Sequence, residues 1–391
     1  MKKRLLAVQG PLQFIAGYIA FDWRRKTQDS AEESENILLL YDFLAPPDIE
    51  SDIADSVLQL TKSSNWSKII FIRSTEMRAL MRGKYTNCIK HLHDTLGYSY
   101  FDEIFLARDH IGDGSPLLIN AYPEATRLAY GDSFGLVGQR AMPERIDWSS
   151  PMRSSLSILR RKILRTLWGG PKVFAFDAAV LTLPLDISGT YLLTTPLVVP
   201  PRAHVVECVG RIHDSLETLS AYCESLLENG SGTEDKLYLL SNLGASGLTS
   251  TEKEIALYIE IIEQTSRSGS TIFIKHHPRS SHEVLDAVIS HLEKSYRIVV
   301  LDRDSFSRIP IELWRKLISH CSIVAMFSTS AINLKYLYGT DVVLPLNAER
   351  IKTYILPEKI SHITTVDQMI RQSIEKLEEW DQESVLWGKS A

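Results

Sequence analysis

The sequence predicts an α/β protein built from two Rossmann-like domains facing each other across a cleft, and three observations carry that expectation. Short apolar runs rich in Val, Ile, Leu and Phe alternate with amphipathic stretches almost from end to end, the pattern of parallel strands joined by covering helices. The alternation is broken once by a polar stretch, Glu228-Asn229-Gly230-Ser231-Gly232-Thr233-Glu234-Asp235, and then restarts. At 391 residues the chain is also longer than one ordinary core.

The first half supplies strands at Leu5 to Val8, Ile37 to Tyr41, Lys68 to Ile72, Glu103 to Ala107 and Arg127 to Tyr130, with helical stretches near 50–62, 78–95 and 115–123. Residues 171–200 read as further strand-like runs, and 204–228 as helical. After the polar stretch come strand Lys236 to Leu240 and a helix from Thr251 to Glu263, where Thr251 and Glu254 have capping-box spacing and Ile255, Ile259 and Ile262 share a face. Strand Thr271 to Ile274, helix 281–294, strand Arg297 to Leu301, helix 309–319, strand Ser322 to Phe327 and helix 330–338 follow. The domains expected are 1–228 and 229–365, with a helical tail, 366–391, packing back on the first domain.

Apolar residues at 44% and charged residues at 23% exclude disordered, collagenous and disulfide-scaffold classes. A net charge of −5 gives no general attraction to nucleic acid, so anion recognition has to come from local clusters of cations. Cys88, Cys208, Cys223 and Cys321 lie far apart without CxxC or Cys/His ligand spacing, so neither zinc nor disulfides are expected, and reduced thiols fit a cytoplasmic setting. The start, Met1-Lys2-Lys3-Arg4 before Leu5 to Val8, imitates a signal peptide, but Gly10-Pro11-Leu12-Gln13 interrupts the apolar run. No run of eighteen apolar residues occurs, so no membrane span is expected.

The chemistry-bearing residues sit where strands end. Lys275-His276-His277-Pro278-Arg279 follows the strand at 271–274, and in open α/β sheets ligands bind at carboxyl ends of strands, beside free helix N–H groups. His277 can hand a proton to a phosphate oxygen near neutral pH, with Lys275 and Arg279 as counter-charge and Pro278 stiffening the turn. A solvated basic loop is the competing reading. Ser328-Thr329-Ser330 also follows a strand and opens a helix; one hydroxyl suffices for capping, and this run offers three. In the first half, Gly131-Asp132-Ser133-Phe134-Gly135 puts a carboxylate on a strand-end turn, either a general base for an acceptor hydroxyl or an ordinary Asx-turn. Gly10 and Gln13, after the first strand, are candidates for acceptor contact or a plain turn. Arg153, Arg160, Arg161, Lys162 and Arg165, interleaved with Leu156, Leu159, Ile163, Leu167 and Trp168, form a basic amphipathic stretch suited to peripheral contact with anionic lipid or to packing on the protein itself.

Taken in order, Pro11-Leu12-Gln13, the acidic turn at Asp132, Lys275-His276-His277-Pro278-Arg279 and Ser328-Thr329-Ser330 resemble the bacterial GT-B sialyltransferases of the lipooligosaccharide and polysialic-acid type. The resemblance implies a GT-B fold and inverting transfer of a sialic or related nonulosonic acid from a CMP-linked donor to a cell-surface oligosaccharide or glycolipid. It implies no metal or cofactor. Asp132 would be the base, His277 with Pro278 would assist departure of CMP, and Ser328, Thr329 and Ser330 would bind its phosphate. The acidic motif departs from the family pattern, since Gly131 and Ser133 replace a first acid and a closing glycine. Three alternatives stay open: a CMP-Kdo transferase, a CDP-glycerol-type phosphotransferase, and a non-catalytic nucleotide- or glycan-binding module. Ala325-Met326-Phe327 before the serines, and the lack of an Asp before Asp341, favour sugar transfer over the phosphotransferase.

Overall fold

A computed structural model describes residues 1–28, 33–41, 50–80, 85–107, 114–132, 134, 176–185, 196–228, 235–277, 281–301, 306, 308–378 and 385–387. The chain divides into two compact units, Met1–Cys208 with Glu383–Ala391, and Val209–Gln382. The basic stretch 153–168, Ser133, Pro278, Arg279 and residues 229–234 of the expected linker lie outside the described residues.

The first unit is built on β1 (Lys2–Val8), β2 (Ser34–Tyr41), β3 (Lys68–Ile72), β4 (Glu103–Ala107), β5 (Thr126–Gly131), β6 (Ala178–Leu181) and β7 (Leu197–Val199). Its sheet runs β3-β2-β1-β4-β5-β6-β7 and closes with β13 (Val385–Trp387). All pairings are parallel except the last, β13 on β7. Strands buried on both faces read as continuous apolar runs, which is why β1, β2 and β4 were recognisable. The helices are α1 (Pro11–Gln28), α2 (Glu50–Leu60), α3 (Ser74–Leu80), α4 (Tyr85–Leu96) and α5 (Gly114–Ala121). Leu5, Ile37, Leu39, Ile104 and Leu106 form the centre of one core with Leu92, Leu96, Leu117 and Tyr122 against it.

Gly10-Pro11-Leu12-Gln13, expected either to face an acceptor or to form a plain turn, opens a helix, since Pro11 starts an 18-residue helix. Proline is pre-organised for the first helical position, where its missing N–H costs nothing. The helix escapes periodicity because Phe14, Ile15, Ala16, Tyr18, Ile19, Ala20, Phe21 and Asp22 are all buried, leaving no polar face to set the period. Gly17 lets it lie close on the sheet, since a Cβ there would stand 2.8 Å from Leu6 and 3.0 Å from Tyr130.

The helical stretch expected at 204–228 is two helices, α6 (Arg202–Asp214) and α7 (Glu217–Glu228). The division between units falls inside α6 rather than at 228, because residues beyond 208 belong with the second sheet's helices. His213 contacts the carbonyl of Leu313 at 2.8 Å, and α7 packs on α10 (Arg315–His320).

The second unit's sheet is wholly parallel, in the order β10-β9-β8-β11-β12, from β8 (Lys236–Leu239), β9 (Thr271–Lys275), β10 (Arg297–Val300), β11 (Ser322–Ala325) and β12 (Val342–Val343). Around it lie α8 (Thr251–Thr265), α9 (His282–Leu292), α11 (Ser330–Tyr338), α12 (Ala348–Tyr354) and α13 (Ile360–Glu378). Ile272, Ile274, Leu257, Ile261, Val288 and Val324 are among its core residues. The helical tail expected from 366 begins at 360 and packs on α11 and α12. Return to the first sheet is made by the strand β13 instead.

One buried charge cluster fixes the base of the first sheet. Arg4 and Glu103 are register partners on β1 and β4, and the Arg4 Nε lies 2.7 Å from Glu103 Oε2, with Arg24 2.8 Å from Oε1. Arg4 is 1% exposed. Removing the carboxylate would strip that guanidinium of its counter-charge in a dry setting. Glu103→Ala is therefore expected to lower unfolding free energy by about 3–5 kcal/mol in urea denaturation, while Arg4→Met with Glu103→Met should be much milder.

Candidate functional site

In a doubly wound sheet the ligand crevice opens where the strand order reverses, at the carboxyl ends. In the second unit that point lies between β8 and β11, with β9 on the other side of β8. Leu239 is in register with Lys275 on one side and Ala325 on the other. The ends of β9 and β11 are thus two strand spacings apart, roughly 10 Å, on one edge. Lys275-His276-His277 and Ser328-Thr329-Ser330, chosen from the sequence, sit on that edge with Ser241 between them.

Buried bonds shape the edge. The Ser241 hydroxyl reaches the carbonyls of Met326 and, at 3.0 Å, Phe327. Phe327 has φ 55°, the left-handed region that a bulky side chain rarely enters, at a cost of order 1–3 kcal/mol. This bend turns the chain from β11 into α11. Ser330 N–H donates to Ser328 Oγ at 3.3 Å, and Thr329, the N-cap, makes no side-chain cap bond. Ser328, Thr329 and Ser330 are all half-buried at the start of the helix.

The loop after β8 is clamped from α8. Glu254 accepts the N–H groups of Leu243 and Gly244, each at 2.9 Å, and the Tyr258 hydroxyl at 2.7 Å. Tyr258 also reaches the Ser241 carbonyl at 2.7 Å, and burial, then the Glu254 charge, hold its hydroxyl protonated. The capping box expected of Thr251 and Glu254 is therefore absent: Ser250 caps the helix, and Glu254 holds the neighbouring loop. A Cβ at Gly244 would stand 2.6 Å from Glu254 Oε2, so a larger residue there would push on the carboxylate that clamps the loop.

Lys275 is 9% exposed, its ammonium 5.8 Å from the ring centre of the buried Trp314. Lys275 is therefore a buried cation and not part of a solvated basic loop. His276 is also buried, and burial followed by the charges of His282, His277 and Lys275 pushes its pKa down to about 4. His277, the next residue, is half-buried at the rim.

The first unit repeats the plan. Its order reverses between β1 and β4, and the candidate residues lie at the ends of β1 and β5. Tyr130 ties these strands through its hydroxyl, 2.7 Å from the Ala7 carbonyl. Asp132, directly after β5, is half-buried and its Oδ1 accepts the Phe134 N–H at 3.0 Å, which is the Asx-turn bond. Gln13 Oε1 accepts the Gln9 N–H at 2.8 Å, a helix-capping duty that occupies part of the amide offered to an acceptor. A Cβ at Gly10 would meet nothing within 4 Å, so there is open space above that turn. Ser241, Glu254, Tyr258 and Trp314 escaped the sequence reading. Only Glu254 carried a signal, its spacing from the helix start, and that pointed to a different bond.

Residues 199–346 match the family model of the alpha-2,8-polysialyltransferases. The range holds both strand-end clusters of the second unit and excludes Asp132, Gly10 and Gln13. The resemblance read from the motifs is thus found again across the second sheet. No curated protein sequence matches the chain. Among solved structures, a UDP-GlcNAc 2-epimerase from Neisseria meningitidis bound to UDP-GlcNAc is similar at 12% identity and a TM-score of 0.48, covering 99% of this chain and 96% of that one. The S. aureus MnaA-UDP structure gives 11%, 0.49, 96% and 90%, and the E. coli ADP-heptose LPS heptosyltransferase II gives 9%, 0.38, 97% and 100%.

The buried His276 makes stability depend on pH. Its proton affinity is lower folded, about 4, than in the free side chain, 6.5, so the unfolded chain takes up a proton first as pH falls. The contribution is intact above about pH 6.5 and declines towards pH 4, by at most about 3 kcal/mol. His276→Asn is expected to flatten that part of the stability profile in urea titrations between pH 7 and 4; an unchanged slope would mean that His276 is not held neutral.

Proposed function

We propose that the chain is a glycosyltransferase that moves a sialic or related nonulosonic acid from a CMP-activated donor to a glycan acceptor, within a GT-B arrangement. The observation that carries the reading is the family match at 199–346, which takes in His277 and Ser328 to Ser330 on one carboxyl edge of the second sheet. Those elements suit the phosphate of CMP: half-buried hydroxyls at a helix start, a histidine at the rim and a lysine in the wall. Pro278 and Arg279 complete the proposed phosphate turn.

In the proposed reaction the acceptor hydroxyl oxygen forms a bond to the anomeric carbon as the bond from that carbon to the CMP phosphate oxygen breaks. The hydroxyl proton goes to Asp132, and His277 supplies a proton or hydrogen bond to the departing phosphate. Charge builds on the sugar ring as an oxocarbenium-like cation, and inversion follows from attack on the face opposite CMP. Gly10 and Gln13 are proposed to border the acceptor. No metal takes part in this scheme.

A second reading has its own support. The Asx-turn bond of Asp132 gives that carboxylate a structural task, as expected if the chain binds nucleotide or glycan without turnover. Two variants separate the readings. At CMP concentrations near a hundred times Kd the protein should gain about 3 kcal/mol, a thermal shift of a few degrees. His277→Ala should remove most of that shift, and retention of the full shift would remove His277 from the site. Asp132→Ala should keep the shift and lower the rate of transfer from CMP-sialic acid by about 10²–10⁴. Absence of both transfer and donor hydrolysis in the wild type would leave the binding module.

A further inference from the structure

A second cluster lies in the first unit, away from both candidate edges. Asp22 on α1 meets His204 and Cys208 on α6, the last two one helical turn apart on the same face. Asp22 is 2% exposed, His204 7% and Cys208 0%. His204 Nε2 lies 3.5 Å from Cys208 Sγ and 3.9 Å from Asp22 Oδ2, and Sγ lies 3.6 Å from Oδ2. We propose that Asp22, His204 and Cys208 bind a borderline-soft divalent cation of the zinc class, pinning α1 to α6.

The three atoms already lie at separations close to those of a metal's ligands. His204 Nε2 has long hydrogen-bond contacts to the Ile19 carbonyl and Cys208 Sγ, each at 3.5 Å, and lies 3.9 Å from Asp22 Oδ2. Ligands held tetrahedrally at zinc distances of about 2.0–2.3 Å stand roughly 3.3–3.6 Å from one another, so the two separations from Cys208 Sγ already fit and the one between His204 and Asp22 has to close by about half an ångström. One sulfur, one imidazole nitrogen and one carboxylate oxygen select zinc over magnesium or calcium.

The surroundings act as supports for such a site. Arg25 holds Asp22 Oδ1 at 2.8 Å and leaves Oδ2 turned to the cluster. Lys26 lies 3.5 Å from Oδ2 and is itself engaged by Glu207 at 2.9 Å. Trp23 packs its edge on the His204 ring, fixing the plane. Binding would release the Cys208 thiol proton to solvent, and thiolate plus carboxylate would balance a doubly charged ion.

The test uses the full chain, treated with chelator and then titrated with Co²⁺ and Zn²⁺. Co²⁺ is expected to bind one per chain with a near-ultraviolet thiolate-to-cobalt charge-transfer band and visible bands of tetrahedral intensity. Cys208→Ser should abolish the charge-transfer band, and His204→Gln should weaken Zn²⁺ binding at least about tenfold. His277→Ala should leave both unchanged, which separates this site from the proposed donor site. No band in the wild type, or a band that survives Cys208→Ser, would overturn the proposal. The wild-type spectrum decides even if a variant fails to fold.

Discussion

The Ser241 hydroxyl is the constraint on which the candidate site depends. It spans the reversal point of the second sheet, joining the end of β8 to the carbonyls of Met326 and Phe327 at the end of β11. That bond supports the left-handed Phe327, and the bend there delivers Ser328, Thr329 and Ser330 to the start of α11. Ser241 is held in turn, because Tyr258 binds its carbonyl and Glu254 fixes the loop that follows. The edge is thus braced by bonds from the end of β8, the loop after it and α8.

The same reversal of strand order occurs in the first unit, and the devices there differ. Tyr130 bridges β5 to β1 by a hydrogen bond where the second unit uses a serine, and Gly17 brings α1 onto the sheet by close approach. Asp132 and Gln13 both have structural bonds at this edge. The two edges thus differ, with hydroxyls and a buried lysine at one and a carboxylate and an amide in structural bonds at the other.

Much of the fold was legible because parallel strands buried on both faces appear as unbroken apolar runs. Lys68 to Ile72 and Glu103 to Ala107 coincide with β3 and β4 residue for residue. The failures have physical causes. Helix α1 is buried nearly all round and shows no period, β12 has only two residues, and Ser215 and Leu216 break 204–228 without a proline or glycine to announce it. The strand-end clusters at 275 and 328 were legible because their residue types are unusual in sequence. Ser241 and Trp314 were not, since a lone serine after a strand and a lone tryptophan have no pattern. The expectation that no cysteine has Cys/His ligand spacing is corrected at one place: His204 and Cys208 stand one helical turn apart, but their partner Asp22 is 186 residues from Cys208, and only the packing of α1 on α6 unites them.

A crystal structure of the full chain with CMP tests the central claim most directly. The CMP phosphate is expected at the start of α11, within hydrogen-bonding distance of a Ser328, Thr329 or Ser330 group and near His277. A phosphate bound at the first sheet's edge beside Gly10, or anywhere away from the ends of β9 and β11, would contradict it.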